Sequence, residues 1–371
     1  SECADSLIGL SFQWAGLDQE SVAVFALGKL GSNELNLSSD VDLVVISQNP
    51  PHKELLDKIK TFTKVLNENT EEGFVLRVDY NLRPGGRFGP LISSVNQFAD
   101  YYWSQGETWE KLAFVRLRGV CGSKDVLEQV LEIGHKFSFR KFLDYTLFED
   151  LKHLRSRIQS EYKANKKQLD LKMGVGGIRD IELFLHALVV IHAGKIKGLH
   201  AQETSKIVEH LKAHKILDVN QLNFLIETYW MLRDLENKVQ LLNDQQTHKW
   251  SEELSYPKLT ESEYDKLLND FQHVDQIVTD LLGQAEVDQE LLPKSETEQK
   301  KWLSELGFNQ TSIEKVWPEL MQYTALSKRQ QKDEATRRNF LYLFVKELVN
   351  KNQDKDLGLH LLFDFVRSTR A

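Results

Sequence analysis

The chain has 371 residues, 41% hydrophobic and 27% charged, with a formal net charge of −8. That length suits two or three domains with real cores. The acidic balance speaks against tight, sequence-independent nucleic-acid binding. No apolar run approaches a membrane span, and two cysteines, Cys3 and Cys121, are too few for a disulfide framework, so a cytoplasmic protein is expected.

In chain order, the opening SECADSLIGL reads as the end of a helix that begins upstream. VAVFALG and VDLVVIS are short, β-branched apolar runs bounded by Gly and Ser, and predict strands. KELLDKIKTFTKVLNEN, residues 53–69, repeats apolar residues at helical spacing and should cover one face of a sheet. FVLRVDYNLRPGG then alternates. Phe74, Leu76, Val78, Tyr80 and Leu82 take one face of a predicted strand, and Arg77, Asp79, Asn81 and Arg83 the other, until Pro84-Gly85-Gly86 turns the chain. Residues 91–256 contain no proline and residues 201–282 no glycine, which predicts long helices, for instance over FRKFLDYTLFEDLKHLRSRIQSEY and NFLIETYWMLRDLENKVQLLND. Trp103, Trp109 and Trp230 have spacings that suit core packing. DQELLPKSETEQKKW reads as a linker, and LSKRQQKDEATRRN as a solvated helix face. The fold class expected is α+β: a mixed sheet with covering helices over residues 1–130, a helical bundle over 131–285, and a linker with the start of a further helical domain over 286–371.

The chemistry concentrates where VDLVVIS begins. Asp40 and Asp42 share one face of the strand entrance, ~7 Å apart on the strand's rise per residue, and such a pair is unfavourable unless water or a cation lies between. Asp79 sits on the polar face of another strand. Three carboxylates from neighbouring strands can hold two divalent metals, which would position a triphosphate and stabilise attacking and leaving oxygens. Gly28 and Gly31-Ser32 lie between a strand and a short helix, where backbone N–H groups can approach phosphates. Arg77 and Arg83 can neutralise phosphate charge. In LKMGVGGIRDIELFLHALVVIH a glycine turn enters a helix. Arg179 there can meet an anion, or Arg179 and Asp180 are simply solvated; Glu182 is either functional or a surface carboxylate. His210 and His214 have the spacing of a zinc pair but lack a third ligand, and read as exposed polar positions.

GKLGSNELNLSSDVDL, followed in order by RVDYNLRPGGRFGPL, WEKLAFVRLRGVCG, GGIRDIE and LENKVQLLNDQQTH, resembles the glutamine synthetase adenylyltransferase family of DNA polymerase β-like nucleotidyltransferases over roughly residues 20–250. The resemblance implies Mg²⁺ ligation by Asp40, Asp42 and Asp79. It also implies nucleotide contacts by Gly28, Lys29, Gly31, Ser32 and Ser39, with Arg77, Arg83 and Arg179 beside them. The family's enzymes pair two related halves. One attaches AMP from ATP to a tyrosine of glutamine synthetase, and the other removes it by phosphorolysis, giving ADP; PII-type proteins set the balance. ELNLSSD, DYYWSQGETWEKLA, FRKFLDYT and GGIRDIE resemble the AMP-removing half more closely. The alternatives are the adenylylating half and a docking module without catalysis. LFLH after GGIRDIE, and Gly85-Gly86 in place of a common acidic residue, depart from the family pattern.

Overall fold

A computed structural model describes residues 1–139, 146–161, 168–241, 247–251, 254, 256–287, 292–293, 295–324, 341–342, 344–349 and 354–368. By their contacts these group into two units, residues 1–143 with 150–281 and residues 144–149 with 282–371. The charged run LSKRQQKDEATRRN lies outside the described residues.

The first unit is built on a mixed sheet. Strand β1 (Val22–Ala26) pairs antiparallel with β2 (Val41–Ser47) and with β5 (Arg118–Gly122), while β2 pairs parallel with β3 (Val78–Asp79) and β4 (Ile92–Ser94). Both faces of β1 and of β2 beyond Asp42 are covered, which is why Val22–Ala26 and residues 43–46 are continuously apolar rather than alternating. Val22, Val24, Ala26, Val41, Leu43 and Val45 join one core with Ile8 and Phe12 of α1 (Glu2–Trp14) and Ile59, Phe62 and Leu66 of α3 (Lys53–Asn67). Ala23, Phe25, Val44 and Ile46 join the other, with Phe98 and Tyr102 of α4 (Val95–Ser104) and Val126, Val130 and Phe137 of α6 (Lys124–Ser138). Each fully buried Phe of these layers is worth about 1.5–3 kcal/mol of transfer free energy. The tryptophans do not follow: Trp103 and Trp230 are exposed, because the turn of α4 that carries Tyr102 inward carries the next residue out.

The alternating stretch after residue 73 forms far less strand than its pattern predicts. Only Val78 and Asp79 pair, because β2 starts at Val41 and offers residues 74–76 no partner. At the other end the Asp79 carboxylate accepts the Asn81 backbone N–H at 2.7 Å, and that side-chain turn stops the strand. Leu76, Val78 and Tyr80 still pack on the α1/α3 core.

Helices follow, as the absence of proline predicts: α7 (Thr146–Glu161), α8 (Ile178–His192), α9 (Thr204–Ala213), α10 (Val219–Leu241) and α11 (Glu261–Val287). One feature among them escapes periodicity. Gln168–Asp170 and Lys249–Ser251 pair as an antiparallel ribbon, three residues each and eighty residues apart in sequence, too short to leave a pattern. The second unit has its own core, with Leu303 of α12 (Glu296–Glu305) and Trp317 and Leu320 of α13 (Trp317–Thr324) packed among Leu341, Val345 and Leu359. Among the described residues no helix is long and apolar enough to cross a membrane.

Candidate active site

The entrance of β2 places the acidic residues. Asp42 lies directly beside Asp79 in the parallel β2–β3 register. Burial first, then the neighbouring Asp79 charge, push the Asp42 carboxyl up to about 6, with Asp40 adding to the effect and Lys172 and Lys29 opposing it. Asp40 precedes the strand, and its Oδ1 is 3.9 Å from Arg77 Nε. Asp79 is held by Asn81, whose backbone and side-chain amides donate to its two oxygens at 2.7 and 3.1 Å. Among the described residues no three His, Cys, Asp or Glu side chains form a ready-made metal cage.

Gly28 is where the strand–turn–helix meets this pair. Its φ is +53°, and a Cβ there would lie 2.0 Å from Asp42 Oδ2, so only glycine lets the backbone lie against the carboxylate. The Leu27 N–H also donates to the Asp42 carbonyl at 3.0 Å. The next turn, α2 (Gly28–Gly31), is otherwise engaged. A Cβ on Gly31 would meet the Arg116 carbonyl at 2.0 Å, and the buried Ser32 hydroxyl donates to the Gly28 and Lys29 carbonyls at 3.4 and 3.2 Å. The Lys29 ammonium bonds both oxygens of Glu236, at 3.2 and 3.0 Å. Burial, then Arg233, lower the Lys29 ammonium to about 8 against the pull of Glu236. The Ser39 N–H faces the Asn36 carbonyl at 3.5 Å.

The arginines divide. Arg77 lies by Asp40, donates to the Ser38 carbonyl at 3.3 Å and stacks over Phe74. Arg83 gives its donors to the carbonyls of Tyr80, Arg87, Gly89 and Pro90, at 2.8 to 3.2 Å, and so closes the loop after β3. Arg179 is exposed at the start of α8, with Met173 Sδ 3.7 Å from its Nη1. Asp180, by contrast, is buried: its Oδ2 accepts from Gly176 N at 2.9 Å and Arg155 Nη2 at 2.9 Å, locking the turn rather than standing in solvent. Gly176, at φ +80°, lies where a Cβ would be 2.0 Å from the Phe271 carbonyl of α11.

Behind the turn lies a polar cluster that the sequence does not announce. Arg116 is buried between Glu182 (Nη1 to Oε1 3.0 Å) and Glu34 (Nη2 to Oε2 3.4 Å) and donates to Thr204 at 3.0 Å. Tyr229 donates to Glu34 at 2.9 Å and Glu182 at 3.3 Å. Burial alone would raise Glu182, yet Arg116, then His186, Arg233 and Lys29, pull it down to about 2. Lys172, whose charge bears on both Asp42 and Lys29, also went unmarked. It sits in the LKMG turn, where nothing in the local sequence sets it apart from a solvated loop lysine. His210 and His214 each set Nδ1 against a backbone carbonyl, of Leu199 and His210.

The mixed sheet with its covering helices and the helical region beyond make an α+β nucleotidyltransferase fold. Residues 6–133 match the family model for glutamate-ammonia ligase adenylyltransferase, and residues 152–262 that for GlnD PII-uridylyltransferase. Curated relatives include bifunctional glutamine synthetase adenylyltransferase/adenylyl-removing enzymes of Methylococcus capsulatus, 33% identical over 67% of this chain and 29% of the relative, and Rhizobium meliloti, 35% over 61% and 24%. That of Pseudomonas syringae pv. tomato is 34% identical over 67% of this chain and 28% of its own length. The chain thus belongs to the glutamine synthetase adenylyltransferase/adenylyl-removing enzyme family. The matched segment spans under a third of these relatives' length.

Proposed function

We propose that this chain removes AMP from the adenylylated tyrosine of glutamine synthetase by phosphorolysis. The observation that carries the reading is the pair Asp42 and Asp79, opposed on neighbouring strands, with the Gly28 backbone against one of them. Orthophosphate oxygen forms a bond to the AMP phosphorus, the phosphorus–tyrosyl oxygen bond breaks, and the tyrosyl oxygen takes up a proton. The products are ADP and unmodified protein.

The donor set fits a hard dication. Two adjacent carboxylates, one with its charge disfavoured by burial and by the other and only in part offset by Lys172 and Lys29, keep a net repulsion that Mg²⁺ would cancel. Asp42 and Asp79 would hold it, joined by Asp40. Bound there, Mg²⁺ supplies charge neutralisation at the phosphoryl oxygens. The chain's own residues do the rest. Gly28 keeps the turn close enough for its backbone to border the phosphates. Lys172 and Arg77 add positive charge around the carboxylates. Arg179, exposed at the entry to α8, is the cation assigned to orthophosphate, and its presence favours removal over attachment. A PII-type protein as regulator and a cytoplasmic setting belong to the same reading.

The test is to incubate the chain with adenylylated glutamine synthetase, Mg²⁺ and phosphate, and in parallel with unmodified glutamine synthetase, Mg²⁺ and ATP. Phosphate-dependent ADP release supports removal. AMP attachment without ADP release would assign the chain to the opposite direction, and neither product would leave a docking module.

A further inference from the structure

The stretch LENKVQ within α10 belongs to no part of the chemistry above, yet one stripe of that helix is polar and buried. Tyr229, Arg233, Glu236 and Gln240 recur at spacings of four, three and four, which puts them on one face. All four meet the segment 29–36. Tyr229 donates to the Glu34 carboxylate, and Arg233 to the Glu34 carbonyl and the Asn36 side-chain oxygen. Glu236 takes Lys29 on both oxygens and the Asn36 amide at 2.7 Å, while Gln240 accepts from the same amide at 3.4 Å. These buried polar contacts converge on one eight-residue segment and hold its position, although Arg233 Nε and Nη1 are buried without a hydrogen-bond partner.

The consequence runs back to the carboxylates. Lys29 directly follows Gly28, whose backbone lies so near the Asp42 carboxylate that a Cβ there would be 2.0 Å from Oδ2. A shift of the α2 turn by a few tenths of an ångström therefore moves, or is blocked by, that carboxylate. We infer that Glu236 is a positioning residue for the Asp42–Asp79 pair, acting through the Lys29 ammonium and the Gly28 turn, so that the cation capacity of the sheet is set from α10. This rests on the metal reading above and extends it to a helix residue whose side chain takes hydrogen bonds from Lys29 and Asn36.

The experiment measures Mn²⁺ affinity of the unliganded full chain by electron paramagnetic resonance, which keeps any direct role of Lys29 at phosphates out of the readout. Glu236→Gln is expected to weaken Mn²⁺ binding about 10–100-fold, the range for partners that orient metal ligands. Glu236→Asp should restore part of it, and Asp234→Asn, an exposed neighbour paired with Lys238, should change nothing. Where Glu236→Gln does not fold, Lys29→Met/Glu236→Gln removes both charges together and leaves neither buried without its partner. It should show the same weakening. Native Mn²⁺ affinity in the folded Gln variant or in the pair, whatever the change in Tm, overturns the inference and leaves the metal reading standing. No Mn²⁺ binding by the unaltered chain overturns both.

Discussion

Replacing Arg116 by methionine removes one charge from the middle of the buried cluster and keeps most of the stem's volume. Its guanidinium side chain is 5% exposed, and its partners Glu34 and Glu182 are 6% and 14% exposed. The variant leaves two buried carboxylates without their shared cation, with Tyr229 between them as donor. Breaking a buried pair by removing one partner costs about 3–5 kcal/mol. At roughly 2–4 °C per kcal/mol for a domain of this size, Tm should fall by on the order of 10 °C at pH 8. The loss should shrink on acidification. In the parent, Glu182 is held at about 2, so its contribution is present above the ordinary carboxylate range and is lost only as pH falls toward 2. Without Arg116 the burial of Glu182 acts unopposed by its main cation, and its folded pKa rises above the unfolded value. Acid then neutralises it in the folded state first, and stability rises as pH falls. Thermal melts of parent and Arg116→Met at pH 8 and pH 5 decide the matter. A loss under 1 kcal/mol, or an equal loss at both pH values, would refute the account.

Asp42→Asn should abolish turnover while slightly raising Tm in metal-free buffer, because it removes one of two opposed carboxylates; a lowered Tm in differential scanning would contradict this. His186 is buried and pushed down to about 3 by burial and then by Arg116, so it stays neutral in the fold while the unfolded chain protonates near 6.5. Stability is therefore lost as pH falls from 6.5 toward 3, and His186→Gln should flatten the upper part of that slope in urea titrations. Gly176→Ala meets both a positive φ and the Phe271 carbonyl, whereas Gly198, at φ +81°, has nothing within 4 Å of a Cβ. Gly198→Ala should cost only the left-handed strain of about 1–2 kcal/mol, and Gly176→Ala clearly more; equal melting shifts would show that Phe271 yields freely.

What the sequence carried plainly were the elements whose burial follows one period. VAVFA, VDLVVIS and residues 53–67 are strand, strand and helix as their patterns predict. Asp42 stands out in the sequence as a charge at a strand entrance and Asp79 as one on the polar face of an alternating stretch, and the fold sets the two side by side in the β2–β3 register. The stretch 74–82 misled because alternation reports which faces a chain could offer, not whether a partner strand is there. Glu34 and Arg116 left no mark, and Glu182 could be either functional or a surface carboxylate, for the opposite reason. On a helix or turn a lone charged residue looks solvated, and only tertiary contact shows that Glu182 faces an arginine sixty-six residues away. Gly31, a phosphate-contact candidate in the sequence, also makes room in the fold for the Arg116 carbonyl, and Gly176 does the same for that of Phe271, neither of which a local pattern can show.

The bond from Lys29 to Glu236 spans 207 residues. At the usual translation rate of about 5–20 residues per second, α10 leaves the ribosome some 10–40 s after the glycine turn. During that interval Lys29, Glu34 and Asn36 have no helix to meet, and the sheet must wait with its polar segment in water. Ribosome-bound chains stopped at residue 200 should therefore be cut by protease within residues 28–36, and chains reaching past residue 290, with all of α10 outside the ribosome, should not. The glycine turn beside the acidic pair is therefore made long before the helix that holds its lysine.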